Sequence, residues 1–592
     1  MVLKKLYTIF GRKQKWQFFG LGIMILIGGL FETLGVSMMV PVMGAVTDPA
    51  AVREQIRGMG VLSDIADALG LLQSDTRLVV MLLIAIIGLF ILKNLYILLL
   101  TWRQSTFISR TRNDMISRVM REFLNRPYEE YLGADIPTVF RITDSDIPKM
   151  FSLILALLNL TTELVVSICI CTVLLIVNWK FTAFTALIFL LMTGFNLKVL
   201  KPRLNRIGKT NQDIQSRIAK WRIEAIYGLK DVKVLNREDF FIRNYYESGR
   251  IGADTDRSYS VLNNLPRLLI ETVFLGSIFA FLAVYIGTGG DVKPLIPQLM
   301  AFAAAAVRVM PSANRINTYL TEIAYEQPAL DYVYENYSGA MKADRAMRYT
   351  PAVGTEETLT LTDRIELDGI CYRYPGTDRD IFVNASMTVH RGESVGIMGA
   401  SGAGKSTIVD ILLGLLKVQA GTITCDGVSI FERYGAWLHQ IGYIPQAIYL
   451  IDESIRDNIA FGIDADRIDE DRLWEVLAEA QLKEFVEALP EGLDTKIGDR
   501  GVRLSGGQRQ RIGIARALYH DPEILVFDEA TSALDGDTEE ALMEAINSFH
   551  GKKTMIIIAH RLNTIAKCDR IYEVRDGGLY ETTLEGKGLI TR

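Results

Sequence analysis

Histidine and cysteine are both scarce in this chain, five of each, and the cysteines do not pair. Cys169, Cys171, Cys371, Cys425 and Cys568 form no C-x-x-C and have no histidine nearby, which excludes a zinc ribbon and a disulfide scaffold. Cys169 and Cys171 stand two apart in an apolar run, which on a helix turns them to different faces, so they read as packing thiols. A surplus of positive charge is missing too. With a formal net charge of −5 and a pI of 5.8 there is no global basic field, and nucleic acid is not an expected partner. No small-residue cleavage site follows the first hydrophobic stretch, so that stretch reads as a retained span. Beyond about residue 325 no apolar run of membrane length remains.

What the chain has in quantity is apolar surface. Its 592 residues are 49% hydrophobic with a mean hydropathy of +0.20, more than one soluble domain would carry. Six stretches of about 20 apolar residues, the length a helix needs to cross hydrocarbon, fall at Phe18–Val46, Leu78–Trp102, Met150–Asn178, Phe181–Val199, Leu265–Ile286 and Leu295–Leu320.

Lysine and arginine set the orientation, because positive loops stay in the cytoplasm. Lys4, Lys5, Arg12, Lys13 and Lys15 precede the first span. Arg103, Arg110, Arg112, Arg118, Arg121 and Arg126 follow the second, and more than ten basic residues lie from Lys201 to Arg257. The opposite connections are poor in charge, so both termini are expected in the cytoplasm of a bacterial inner membrane protein. The two basic segments have helix-favouring composition and are expected to prolong the spans, ending in turns near Asn125–Tyr131 and Arg222–Lys230 that could touch a soluble domain. On the external side Val52, Ile56, Met59, Leu62, Ile65, Leu69 and Leu72 recur at helical spacing, an amphipathic helix too short to span.

Three parts are therefore expected: a membrane domain over 1–325, a linker over 326–360, and a soluble domain over 361–592. In the last, short β-branched runs alternate with helices, the pattern of an α/β nucleotide-binding domain. Gly399-Ala-Ser401-Gly402-Ala-Gly404-Lys405-Ser406 fits G-x-x-x-x-G-K-[ST], with a strand-like run before it and a helix from Thr407 after it. In such a loop backbone N–H groups curl around phosphate, the lysine supplies charge to the outer phosphates, and the serine hydroxyl serves Mg²⁺. The apolar run ending in Asp528-Glu529 delivers two carboxylates at a strand end. Asp528 is placed to hold the metal through water, and Glu529 to act as general base on the attacking water.

Leu504-Ser505-Gly-Gly507-Gln508 is similar to the signature sequence of ABC transporter ATPases, and the resemblance covers Leu361 to the end of the chain. It implies that the signature binds nucleotide held by a second copy, so that the working unit is a homodimer. It also implies Tyr374 stacking on adenine, Gln446 sensing metal and water, Asp535 for contact across the dimer, and His560 reaching the γ-phosphate. ATP and Mg²⁺ are the implied cofactors. The fold implied is an α-helical membrane domain of six transmembrane helices, of the exporter type, fused to an α/β P-loop ATPase domain.

In the membrane half, Leu30-Phe-Glu-Thr-Leu-Gly-Val-Ser and Arg308-Val-Met-Pro-Ser-Ala-Asn-Arg315 resemble bacterial flippases of lipid-linked oligosaccharides. That likeness implies a polyprenyl-pyrophosphate-linked sugar chain as cargo, for protein glycosylation. Charge points the same way: Lys93, Arg267, Arg308 and Arg315 all fall in the inner half of their spans, and cations there are costly unless they work. The contrary expectation is that some of them pair with Glu32, Glu163 or Glu271 and hold helices together. Rival readings of the whole are an exporter of lipid A-like lipids or hydrophobic drugs, and an ATP-gated channel or regulator.

Overall fold

The computed structural model describes residues 2–583 apart from 39–48, 58–73, 134–135, 178–186, 188–189, 192, 288–295, 338–358, 530–542 and 560. The chain divides into two compact units, one of Met1–Leu124 with Asp135–Met347, the other of Asn125–Ala134 with Arg348–Arg592.

The first unit is built from long helices: α1 (Arg12–Ser37), α2 (Asp75–Leu124), α3 (Ile147–Val177), α4 (Lys201–Tyr227), α5 (Glu238–Gly287) and α6 (Ile296–Tyr337). Among the described residues Arg12–Glu32, Asp75–Leu124 and Ile136–Cys169 are long and apolar enough to cross a membrane. The Leu265–Ile286 stretch is helical throughout within α5, and α6 takes up the sixth stretch from Ile296. The fourth, Phe181–Val199, lies largely outside the described residues. On α2 the residues Ile84, Ile87, Ile91, Leu95 and Leu98 repeat every three or four positions and are all exposed, an apolar face left uncovered among the described residues, as suits lipid. The basic segments do prolong the spans, with α2 running without a break from Asp75 to Leu124. Of the expected external helix only its start, a helix Pro49–Arg57, is described. The segment expected as linker from residue 326 begins inside α6, which continues as helix to Tyr337.

Two buried polar side chains of this unit are tied across it by hydrogen bonds. Asn196, in a π-turn at Asn196–Leu200, is fully buried and donates to the Thr321 hydroxyl at 3.2 Å. A second π-turn, Ile142–Asp146, lies where α3 begins and sets the buried Asp146 between Arg141, at 3.0 Å, and the amide of Gln212, at 3.0 Å.

The second unit holds two sheets. The strands are β1 (Arg364–Arg373), β2 (Asp380–His390), β3 (Ser394–Gly399), β4 (Ala420–Cys425), β5 (Val428–Ser429), β6 (Ile441–Ile444), β7 (Ile524–Asp528), β8 (Thr554–Ile558), β9 (Arg570–Arg575) and β10 (Gly578–Thr582). An antiparallel sheet runs β2-β1-β4-β5, and a mixed sheet runs β10-β9-β3-β8-β7-β6, parallel except for β10. Strands β7 and β8 are buried at every position, as strands covered on both faces must be. This order puts the loop after β3 and the end of β7 at the same edge of the sheet, separated only by β8. Open parallel sheets bind ligands at that edge. The helices α7 (Lys405–Leu412) and α8 (Gly506–Leu518) complete what the site needs.

The segment Asn125–Ala134 groups with this second unit, as its expected role in touching a soluble domain requires. Within it Glu129 accepts the backbone N–H of Lys417 at 3.0 Å.

Candidate functional site

The loop between β3 and α7 is shaped by its glycines. Gly404 caps α7 with φ of +111°, and a Cβ there would come within 2.9 Å of Ile381 and 3.1 Å of the Phe382 ring. Neither its backbone nor its space admits another residue. The cap leaves the first N–H groups of α7 without helical partners and pointing into the loop, the arrangement that holds phosphate. Lys405 is buried and its ammonium donates to the carbonyls of Gly399 and Ala400, both at 3.1 Å, bracing the loop from within. Ser401 and Gly402 are exposed on the loop and Ser406 on the first turn of α7, while Thr407 is buried. Tyr374 is half-buried against the same loop, its hydroxyl 3.0 Å from that of Thr407.

At the end of β7 two carboxylates meet. Asp528 is buried, its Oδ2 3.5 Å from the Tyr443 hydroxyl and its Oδ1 without a hydrogen-bond partner. Burial, then the charge of Glu529, pushes its pKa above the usual carboxylate range, and the Lys405 ammonium pulls it back. Asp410, on α7, is raised to about 6 by burial and by Asp528. An orphaned buried carboxylate oxygen beside a second acid is what a divalent cation would satisfy. The hydroxyl of Ser406 and the amide of Gln446 are of the oxygen-bearing type that Mg²⁺ takes, so this donor set fits it.

Glu529 has two features that spacing alone does not reveal. Its φ is +51°, a left-handed conformation that costs a non-glycine residue about 1 kcal/mol. Its backbone is held there by an N–H bond to the Ile558 carbonyl at 3.0 Å. Its side chain accepts the Gln446 amide at 2.7 Å. Gln446 and Glu529, 83 residues apart, are thereby brought together.

Ser505 is the N-cap of α8. Its hydroxyl accepts the Gln508 N–H at 3.2 Å, and the Gln508 side chain returns a bond to the Ser505 N–H at 2.8 Å, a reciprocal capping box. The Ser505 hydroxyl proton stays available, and beside it are the first N–H groups of α8 at Gly506 and the buried Gly507. This is a second anion-seeking helix start. Asp535 and His560 lie outside the described residues.

The candidate cations of the membrane unit differ among themselves. Lys93 is paired with Glu32 at 2.7 Å and stands 5.0 Å from the Phe90 ring centre. Arg315 is paired with Glu163 at 2.7 Å but keeps half of its side chain exposed. These two pairs match the contrary expectation that carboxylates tie such cations to neighbouring helices. Arg267 is exposed and, among the described residues, has no carboxylate within ion-pair distance; the expected partner four residues on, Glu271, is exposed as well. The side chain of Arg308 lies outside the described residues.

The family model described as ABC transporter matches residues 382–532, and that described as ABC transporter transmembrane region matches 18–303. The chain is 28% identical to an ATP-dependent lipid A-core flippase of Dechloromonas aromatica over 86% of each chain. It is 30% identical to the heterocyst differentiation ATP-binding protein HepA of a Nostoc species, over 70% of this chain and 67% of that one. Its fold matches a bacterial Atm1-family ABC exporter solved with ATP bound, with a TM-score of 0.73 and 21% identity over 97% of both chains. A phosphate cradle, a strand-end carboxylate pair and a signature helix on one polypeptide with exporter-type spans thus have one source: the chain belongs to the ABC transporters, as an ATP-hydrolysing half-transporter of the exporter type.

Proposed function

We propose that two copies of this chain form a flippase that moves a lipid with a sugar-bearing, phosphate-linked headgroup, specifically a polyprenyl-pyrophosphate-linked oligosaccharide, across a bacterial inner membrane. The observation that carries the cargo class is Arg267, an exposed guanidinium within a membrane span with no carboxylate neighbour among the described residues. Two residues inside the fifth apolar stretch, it stands at the headgroup edge of the span, where such a guanidinium is placed to meet a lipid phosphate. The half-exposed Arg315 adds to it, and guanidinium forks suit phosphate. Lys93 and Arg308 are assigned to the same basic cavity. The N- and C-termini are assigned to the cytoplasm.

In the ATPase unit, Tyr374, Gly399, Ser401, Gly402, Gly404, Lys405, Ser406 and Thr407 are assigned to binding ATP, with Ser505, Gly507, Gln508 and Asp535 acting on the partner's nucleotide. Glu529 takes the proton of the attacking water, Gln446 holds its carboxylate in place through the 2.7 Å bond, and His560 supports the γ-phosphate. Ser406, Gln446 and Asp528 would hold Mg²⁺, which when bound neutralises charge on the phosphates. The turn after α4 supports the two-copy reading: Ile226, Tyr227, Leu229, Val234 and Leu235 are all largely exposed. So apolar a patch at the tip of a cytoplasmic stalk suits docking on the ATPase unit of a second chain.

A second reading, a lipid A-core type of cargo, is favoured by the names of several relatives. Both lipids present phosphate to arginine, and the identity of retained lipid separates them. Mass analysis of lipid co-purified with Glu529→Gln protein is expected to find the polyprenyl-linked sugar, depleted in Arg267→Glu protein. Lipid A-core in its place would transfer the assignment to the second reading, and retention independent of Arg267 would remove the cavity from both.

A further inference from the structure

Below the fourth and fifth apolar stretches, α4 and α5 pack side by side and leave an open groove of about 720 Å³ between them. Three cations line it, Arg203 and Arg206 from α4 and Arg257 from α5, with Ile207, Val261 and Leu262 beside them. The spacing explains the lining: Arg203, Arg206 and Ile207 lie three and four residues apart on α4, as Arg257 and Val261 do on α5, so each set shares one helix face. Arg203 and Arg206 thus face, from the α4 wall, an α5 wall that carries Val261 and Leu262 on its membrane side and Arg257 below them.

Its depth is set by the spans. Arg203 and Arg206 stand four and seven residues past Val199, so at about 1.5 Å per residue they sit roughly 6–11 Å beyond the apolar run. Arg203 therefore falls in the inner headgroup layer, which extends about 5–8 Å past the hydrocarbon, and the long side chain of Arg206 reaches toward that layer from just below it. Val261 and Leu262 stand just before Leu265, where the fifth apolar stretch starts, and carry the α5 wall of the groove up to the edge of the acyl region.

The charge is uncommitted. Among the described residues neither Arg203 nor Arg206 has a carboxylate within ion-pair distance, although both are exposed. Arg257 has Asp254 at 3.3 Å on its own helix, a pair largely open to solvent and worth little. Val261 is 62% exposed, a β-branched side chain presented beside three guanidinium groups. Solvated lysines and arginines that merely satisfy the positive-inside rule need no such apolar companion.

We infer that this groove is a binding site for an anionic phospholipid of the inner leaflet, its headgroup phosphate held by Arg203, Arg206 and Arg257 and the start of an acyl chain laid against Val261 and Leu262. The site is separate from the basic cavity assigned to the cargo and stands whichever lipid is transported. A free phosphate ion would use the guanidinium groups alone and leave the exposed Val261 without purpose.

The test is binding to the full-length protein in neutral detergent, read by native mass spectrometry with dioleoyl phosphatidylglycerol, dioleoyl phosphatidylcholine and inorganic phosphate as probes. Phosphatidylglycerol is expected to bind in preference to phosphatidylcholine, and equimolar inorganic phosphate not to displace it. Arg203→Gln/Arg206→Gln should weaken phosphatidylglycerol about 30-fold, roughly fivefold for each cation lost at a membrane surface. Arg203→Lys/Arg206→Lys should retain most of the binding, and Arg267→Gln should leave it unchanged. Equal binding by the double Gln variant, or displacement by inorganic phosphate, would overturn the proposal. So would protection of a Val261→Cys thiol from a water-soluble maleimide by assembly of two chains without added lipid, which would make the groove an interface between copies.

Discussion

The amide of Gln446 donates to the carboxylate of Glu529 at 2.7 Å, and Glu529 reaches that bond from a left-handed backbone at φ of +51°. The side chain that is to receive a proton is thus held from both ends. Glu529→Gln keeps the shape and removes the base, so ATPase turnover should fall at least about 100-fold, the scale of a lost general base, while ATP binding persists. Gln446→Ala should slow turnover less and broaden the pH profile of the rate, because Glu529 keeps its chemistry but loses its restraint. Steady-state hydrolysis with parallel nucleotide binding checks both.

A composite site predicts a specific rescue. Lys405→Ala damages the phosphate loop and Ser505→Arg blocks the signature helix, so each homodimer should have no competent site. Mixed dimers of the two place both lesions in one site and leave the other whole. Hydrolysis should reappear in mixed preparations, and its absence with proven mixed assembly would argue that each chain works alone.

In the stalk, Glu326 on α6 is raised to about 7 by burial, with Glu322 and Asp146 adding to the rise and Lys149 opposing it. Its folded-state pKa lies above its unfolded value, so the folded state binds the extra proton and stability falls as pH rises from about 4.5 through 7. Glu326→Gln should make the full-length protein more stable at pH 8 by about 2 kcal/mol and flatten the dependence of Tm on pH between 5 and 8. Unfolding followed across that range is the measurement.

At Gly208 the helices α4 and α6 come into close contact: a Cβ there would run into the Tyr325 carbonyl and meet Pro328 at 3.2 Å. Backbone cannot yield as a side-chain tip can, so Gly208→Ala should cost about 1–3 kcal/mol, visible as a lower Tm of the detergent-solubilised protein.

The pair Arg315–Glu163 can be separated into its structural and functional parts. Arg315→Glu sets two carboxylates together inside a span and should lower both expression and transport. The exchange Arg315→Glu/Glu163→Arg restores the ion pair and should recover expression. Transport that recovers with it would show that the pair only holds helices.

The ATPase motifs were legible in sequence because their chemistry is local: the glycine at 404 and the lysine at 405 serve one loop, and the serine at 505 caps the helix it opens. The long helices were legible because lipid demands length and hydropathy and little else. Pairings across space were legible only as a set of candidates: Glu32, Glu163 and Glu271 could be named, but not which cation each would meet. Lys93 meets Glu32 and Arg315 meets Glu163 only once helices pack, and no periodicity says which carboxylate a cation will find. The sharing of the Asn125–Ala134 turn with the ATPase unit was visible only as a turn of the right length. The left-handed Glu529 and the π-turns at Asp146 and Asn196 arise from tertiary constraint on ordinary residues, which composition does not record.

The most direct measurement is translocation itself, in sealed proteoliposomes carrying a polyprenyl-pyrophosphate-linked oligosaccharide whose sugar can be modified only from outside. Outward-oriented ATPase units supplied with ATP and Mg²⁺ should transfer the sugar across the bilayer, with no transfer in Glu529→Gln protein and strongly reduced transfer in Arg267→Glu protein that still hydrolyses ATP. Equal movement with and without ATP hydrolysis, or full transport by the Arg267 variant, would contradict the account.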